Sequence, residues 1–161
     1  MKNYFDLTGQ VAVVTGASGG LGVQMAKALA NQGAKIVVLA RRKDKIEAVA
    51  KEIAETFHVE TLAIQCDITD TANVDAAIDE VISKFGRVDI VINNAGTGAV
   101  APAEDITDDQ FEHEMNIDLF GTFKVARAAA KKSMIPNKYG RIINIASMYG
   151  LVGNKVAGSS P

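Results

Sequence analysis

VAVVTGASGGLG, residues 11–22, decides the fold. Its first four residues, Val11 to Val14, are apolar without polar alternation, which suits a strand buried on both faces. The run passes into Thr15, Gly16, Ala17, Ser18, Gly19, Gly20, Leu21 and Gly22, and a helical pattern starts at Leu21. Glycines in such a turn let the backbone bend sharply and come close to an anion. The free N–H groups and the positive end of the following helix then hold it. A dinucleotide-binding fold places its pyrophosphate at this point. A plain tight turn is the alternative; the position between a clear strand and a clear helix favours the phosphate site.

The same alternation continues outward. Ile36–Leu39, Thr61–Ile64, Val88–Ile92 and Ile142–Ile145 are further short apolar runs, expected as strands of a parallel sheet covered on both faces. Helical spacing fills the gaps. The first helix runs from Leu21 to Asn31 and stops at Gly33, and the second covers Lys43–Thr56 with Ile46, Val49, Ala50 and Ile53 on one face. The third covers Ala72–Lys84 and stops at Gly86. Thr107 with Gln110 forms a capping box that opens a long helix, expected to run to about Ser133 ahead of Pro136. The order βαβαβαβαβ, with right-handed crossovers, predicts a doubly wound, Rossmann-type α/β sheet of about five parallel strands with helices on both faces. Residues 1–161 are expected to form one domain.

Composition narrows the function. Of 161 residues, 48% are apolar and 22% charged, and the net charge is -2, an ordinary balance for a globular domain. The basic clusters Arg41-Arg42-Lys43 and Lys131-Lys132 are short, which argues against nucleic acid as the main partner. The single cysteine, Cys66, forms no internal disulfide and is expected in the core. His58 and His113 stand apart from each other and from Cys66, so no metal spacing is present and both are expected at the surface. No segment has the length of a membrane span, and a cytoplasmic location is expected.

Three more stretches carry chemistry. Asn93-Asn94-Ala95-Gly96 follows the fourth strand; short polar side chains there can tie neighbouring backbones together, or simply form a turn. Asn116, in MNIDLFGTF, is a poor helix former within a long helix and therefore needs a use. Ser147 ends the fifth strand in Asn144-Ile145-Ala146-Ser147, where a strand-end serine without function is equally common.

Together these resemble the short-chain dehydrogenase/reductase family. Thr15, Gly16, Gly20 and Gly22 match its TGxxxGxG loop, Asn93–Gly96 its NNAG motif, Asn116 its helix asparagine and Ser147 its catalytic serine. The resemblance spans essentially the whole chain. It implies an oxidoreductase that moves a hydride between a nicotinamide cofactor and a ketone or secondary alcohol. It also implies catalytic roles for Ser147 and Asn116. Cofactor contacts are implied for Thr15, Gly16, Ser18, Gly20, Leu21, Gly22, Arg41, Asp67, Ile68, Asn93, Asn94, Ala95 and Gly96. Asp67-Ile68 matches the pair that contacts adenine.

The second strand ends in Ala40-Arg41-Arg42. Ala40 replaces the acid that would bind a ribose 2′-OH, and Arg41 can take a 2′-phosphate through its fork of donors. NADP(H) is therefore expected over NAD(H), although Ser18 and Gly19 fill the loop position that is basic in other family members.

In the family a tyrosine follows the serine by about thirteen residues, and a lysine lies four beyond it. Position 160 is Ser and 161 is Pro, so the chain is expected to be truncated just before this pair and inactive by itself. A nucleotide-binding or interaction module without catalysis is the alternative. FDLTGQVAVVTGASGGLG and SMYGLVGNKVA are similar to gluconate 5-dehydrogenase-like members, which implies a sugar acid or polyol as substrate; 3-oxoacyl thioesters and hydroxysteroids are the other classes. Phe111, Met115, Phe120, Phe123 and Val125 give the long helix surplus apolar surface, and the resemblance implies a homodimer or homotetramer.

Overall fold

The computed structural model describes residues 4–98 and 101–152. Five parallel strands form one sheet: β1 Val11–Thr15, β2 Lys35–Ala40, β3 Thr61–Gln65, β4 Ile90–Asn93 and β5 Arg141–Asn144, in the order β3-β2-β1-β4-β5. Helices α1 Gly20–Asn31, α2 Lys43–Phe57 and α3 Thr71–Phe85 connect the first four. The expected doubly wound α/β architecture is the one observed.

Burial on both faces follows from the apolar runs. Every residue of β1 is buried. Val11 and Val13 pack with Val37, Leu39 and Val91 against Ile78 and Val81 of α3. Ala12 and Val14 point the other way, into Ala26 and Ala30 of α1 and Ile46 and Ile53 of α2. The period-two alternation of a strand divides the core into two layers, one under each helical face.

β4 starts two residues later than its apolar run predicts. The Val88 backbone is taken by a side chain instead: buried Ser133 Oγ accepts from Val88 N–H at 2.7 Å and donates to Val88 C=O at 3.1 Å. Asp89, also buried, accepts from Val11 N–H at 2.9 Å and from Arg87 Nε at 2.7 Å. A buried carboxylate persists because its oxygens are satisfied in this way.

Two expectations are corrected. The long helix is not regular: α4 Asp108–Met115 and α5 Thr122–Ala129 are separated by a wide π-type turn, Asn116–Gly121, and a second wide turn, Ala130–Met134, follows. The first wide turn brings Gly121 so close to Ile68 that a Cβ there would lie 2.7 Å from Ile68 Cδ1. Such turns insert one extra residue per helical turn and re-aim the side chains around them. The fifth strand, whose apolar run suits burial on both faces, is exposed along its whole length and leaves the hydrophobic edge expected of it. It is the last strand in the sheet order, with β4 on one side; Ile142, Ile143 and Ile145 are each at least 40% exposed.

Candidate dinucleotide site

The loop after β1 is built around Thr15. This buried residue accepts at Oγ1 from the N–H groups of Asn94 and Ala95, both at 3.0 Å. Asn94 Nδ2 donates back to Thr15 C=O at 3.1 Å. The ends of β1 and β4 are thereby laced together, which is the use of the polar residues after β4. Gly16 has φ +66, and a Cβ on it would lie 2.8 Å from Ala95 Cα. Glycine is required here both by the left-handed backbone and by the close approach. Gly22 is closed on the inside too: a Cβ would stand 2.7 Å from Asn94 Nδ2 and from Gly16 C=O.

The outer side of the loop is open. A Cβ at Gly19 or Gly20 would meet nothing within 4 Å. Gly19 caps α1 without a side-chain hydrogen bond, and the first turn of α1 has no acidic residue. The leading N–H groups of α1 have no side-chain acceptor there, and the helix dipole adds positive potential. A bare, acid-free helix start behind a glycine cradle fits an anionic diphosphate.

A cavity of about 850 Å³ lies in front of it, lined from the carboxyl ends of four strands. Gly16, Ser18, Gly19 and Gly20 form one side; Leu39, Ala40, Arg41 and Arg42 form the second. Cys66, Asp67 and Ile68 form the third, and Asn94, Ala95, Gly96 and Thr97 the fourth, with His113 and Ile117 from the long helix. It sits where the strand order reverses about β1, the place ligands occupy in open α/β sheets. An extended dinucleotide fits its size and shape: glycine loop for the diphosphate, apolar Ile68 and Ala95 for a base, polar rims for the riboses.

Charge is unevenly distributed around the rim. Asp67 Oδ1 accepts from Thr69 N–H at 2.9 Å and from Thr69 Oγ1 at 2.8 Å. These bonds hold its carboxyl below the ordinary value of 3.8, against partial burial, and the charges of Arg41 and Lys124 add to the effect. Arg42 Nη2 donates to Ser18 Oγ at 2.9 Å, joining the start of α2 to the glycine loop. Burial, with Asp67 and Asp70 nearby, pushes the Cys66 thiol up to about 11.

Nine of the expected contact residues line the cavity: Gly16, Ser18, Gly20, Arg41, Asp67, Ile68, Asn94, Ala95 and Gly96. Thr15 and Gly22 stand behind it as supports. Leu21 is 66% exposed on the first turn of α1 and outside the lining of this cavity. Asn93 is buried and acts at a distance: its Nδ2 donates to Asn144 Oδ1, its register partner in β5, at 2.9 Å and to Thr122 C=O at 3.4 Å. Asn116 and Ser147 are exposed and outside the lining; Asn116 opens the first wide turn, and the Ser147 carbonyl accepts from Gly150 N–H at 3.1 Å. Residues 153–161, which include the position expected for the family tyrosine, lie outside the described residues.

Sequence reasoning missed His113 and Thr97, and took Cys66 for core alone. His113 and Ile117 are four apart on one helix face, and that spacing next to Asn116 was the signal available. Among the described residues no group of three or more His, Cys, Asp or Glu side chains could hold a metal ion, and no helix is long and apolar enough to cross a membrane.

The family model described as short chain dehydrogenase matches residues 10–159. The D-threitol dehydrogenase of Mycolicibacterium smegmatis is 37% identical over 92% of this chain and 56% of its own length. The crystal structure of an NAD+-bound xylitol dehydrogenase superposes with a TM-score of 0.88 at 37% identity, covering 94% of this chain and 57% of that one. A metagenomic short-chain oxidoreductase in complex with NADP gives 0.85 at 36% identity, covering 95% and 68%. The chain thus spans little more than half the length of the curated relatives it matches.

Proposed function

Since the chain belongs to the short-chain dehydrogenase family, we propose that it forms the cofactor-binding portion of an NADP(H)-dependent oxidoreductase acting on the ketone or secondary alcohol of a small polyol or sugar acid. One observation carries the cofactor half of this reading: the cavity side formed by the end of β2 presents Ala40, Arg41 and Arg42, two cations and no acid. A carboxylate there would accept from ribose hydroxyls and repel a 2′-phosphate, whereas guanidinium groups attract it. When bound, the nicotinamide supplies the hydride acceptor or donor.

The protein's own residues divide the remaining work. Thr15 and Asn94 hold the glycine loop in its cradle shape. Gly16, Ser18, Gly20 and the start of α1 bind the diphosphate, with Gly22 supporting the loop from behind, and Asp67 and Ile68 meet the adenine. Ser147 orients the substrate oxygen, and Asn116 supports the water that relays its proton. Asn93 fixes the end of β5, three residues before Ser147, against β4 and the long helix.

Relatives named for threitol and xylitol support the polyol class. Phe111, Leu119, Phe120 and Phe123 are about half exposed on the long helix and support a homodimer or homotetramer, whereas Val125, first counted with them, faces the core. A cytoplasmic setting, with Cys66 kept as a thiol, completes the reading.

Dissociation constants of NADPH and NADH for the full-length protein test it. NADPH is expected to bind more tightly, and Ala40→Asp to reverse the order through at least a tenfold loss of NADPH affinity, about 1.4 kcal/mol. Tighter NADH binding by the unmodified protein would defeat the NADP(H) assignment.

A further inference from the structure

The long helix holds the turn between β3 and α3 at two successive residues. Gly121 lies against Ile68, where a Cβ would stand 2.7 Å from Cδ1. Three residues on, on the same side of the helix, half-buried Lys124 donates from Nζ to the Thr69 carbonyl at 2.5 Å, across 55 positions of sequence. Among the described residues no carboxylate forms an ion pair with Lys124. Lys132, further along, behaves differently and pairs with Asp75 and Asp79 of α3. Thr69 in turn gives its N–H and its hydroxyl to Asp67 Oδ1, at 2.9 and 2.8 Å. Asp67 and Ile68 line the cavity, whereas Thr69 and Lys124 stand behind them. A cation is thus seated on a backbone carbonyl directly behind a carboxylate of the cavity wall.

Resting on the reading that Asp67 and Ile68 meet the adenine, we propose that Lys124 is a positioning residue for the base: through Thr69 it sets how Asp67 presents its carboxylate to the 6-amino group. Both Thr69 bonds go to Oδ1, and among the described residues no hydrogen bond reaches Oδ2. Oδ2 is left to accept from an amino group of a ligand. Its direction follows from the place of Thr69, because two bonds from one residue fix the plane of the carboxylate. Lys124 holds the Thr69 carbonyl, and Gly121 holds the neighbouring Ile68. The charge of Lys124 also helps to lower the Asp67 pKa, behind the Thr69 bonds and Arg41. The ordinary value of 3.8 already leaves this carboxyl ionised at neutral pH, so direction, not ionisation, is what Lys124 adds there.

Calorimetry on the full-length protein with 5′-AMP and purine riboside 5′-monophosphate tests this, and no turnover is needed. The two ligands carry the same phosphate, ribose and charge and differ only in the 6-amino group, so their affinity ratio cancels any general effect of a cation. The unmodified protein is expected to bind 5′-AMP about tenfold or more tightly, since the amino group donates to a charged acceptor. Lys124→Met keeps the aliphatic stem without the donor and should cut the ratio to about threefold or less. Lys124→Leu serves if Lys124→Met folds poorly. Lys124→Arg, which can still donate to the Thr69 carbonyl, should restore the ratio. Asp67→Ala should remove the preference, and adding Lys124→Met to it should change nothing more, because the lysine acts through the carboxylate. If Asp67→Ala removes the preference while Lys124→Met and Lys124→Leu leave it intact, the proposal is wrong and the adenine reading stands. If the unmodified protein does not prefer 5′-AMP, or keeps its preference in Asp67→Ala, both are wrong. Equal weakening of the two ligands in Lys124→Met, or a Lys124→Arg variant no better than Lys124→Met, would make Lys124 a prop for the turn and overturn the proposal.

Discussion

Helices α1 and α3 both begin just beyond the carboxyl end of a strand, yet they begin in opposite ways. At α3, Asp70 accepts from the N–H groups of Ala72 and Asn73 at 2.8 and 3.2 Å. At α1, Gly19 offers no side chain and no acid follows in the first turn. Capping stabilises a helix by about 1 kcal/mol, so a bare start gives up stability. The bare start is the one that adjoins the cavity. α4, which begins away from the cavity, has a full capping box between Thr107 and Gln110. Free amides are thus kept at the start of α1, where an anion can use them, and satisfied at α3 and α4.

The largest effect is expected from breaking the α1 side from within. In Gly22→Ala the new methyl would stand 2.7 Å from Gly16 C=O, which is backbone, and from Asn94 Nδ2, which already donates to Thr15 C=O. Neither can yield without loosening the β1–β4 lacing. Urea denaturation should show a loss of about 3 kcal/mol, the upper end for overpacking. A loss under about 1 kcal/mol would mean the loop is softer than its contacts imply.

How much of this was legible beforehand depended on the range of the interaction. The first four strands and α1 to α3 follow from runs such as Val11–Val14 and from stops at Gly33 and Gly86, both with positive φ, because those signals are local. The cavity lining was legible at Gly16, Gly20 and Asn94 for the same reason, and at Asp67 only through the family resemblance. Three features were not. The exposure of β5 depends on what lies beside it, not on its own residues. The wide turn at Asn116 depends on how closely Gly121 meets Ile68, 53 positions away in sequence, a figure no helical pattern contains. The bond from Arg42 to Ser18 depends on how α2 and the glycine loop meet across the cavity.

Next in size is the variant that caps α1. Gly19 has an extended φ of 172, which any residue adopts, and the space around its Cβ is open. Gly19→Asp should therefore fold normally, and an aspartate cap is worth a few tenths of a kcal/mol more than glycine. Its carboxylate would stand at the diphosphate site, so NADPH affinity should fall about tenfold or more through charge repulsion. Raised or unchanged thermal stability together with weakened binding is the expected pattern. Unchanged binding would show that the start of α1 is not where the anion lies.

The counterpart on α3 is Asp70→Ala, which removes the acceptor for two amides. Stability should drop by about 1 kcal/mol, read as a lower urea midpoint, while dinucleotide affinity stays as it was, since Asp70 does not line the cavity. A matching loss of binding would mean that the β3–α3 turn transmits strain into the site.

The smallest effect is expected from Asp67, which belongs to both regions: it lines the cavity and holds the turn that leads into α3. Hydrogen bonds from Thr69 lower its pKa below 3.8, with Arg41 and Lys124 assisting and burial opposing. A carboxyl whose folded pKa is depressed contributes stability that is present above its unfolded pKa and is lost as pH falls through the folded value. The contribution is therefore full near neutrality and declines only below pH 3.8. In Asp67→Asn the amide oxygen can still accept from Thr69, so the variant isolates the charge. Urea midpoints measured at about pH 7 and about pH 3 should fall less steeply with acid in the variant than in the unmodified protein. Parallel declines would mean that the Thr69 bonds orient the side chain without favouring its ionised form, and that the charge at this edge of the cavity is set by the arginines alone.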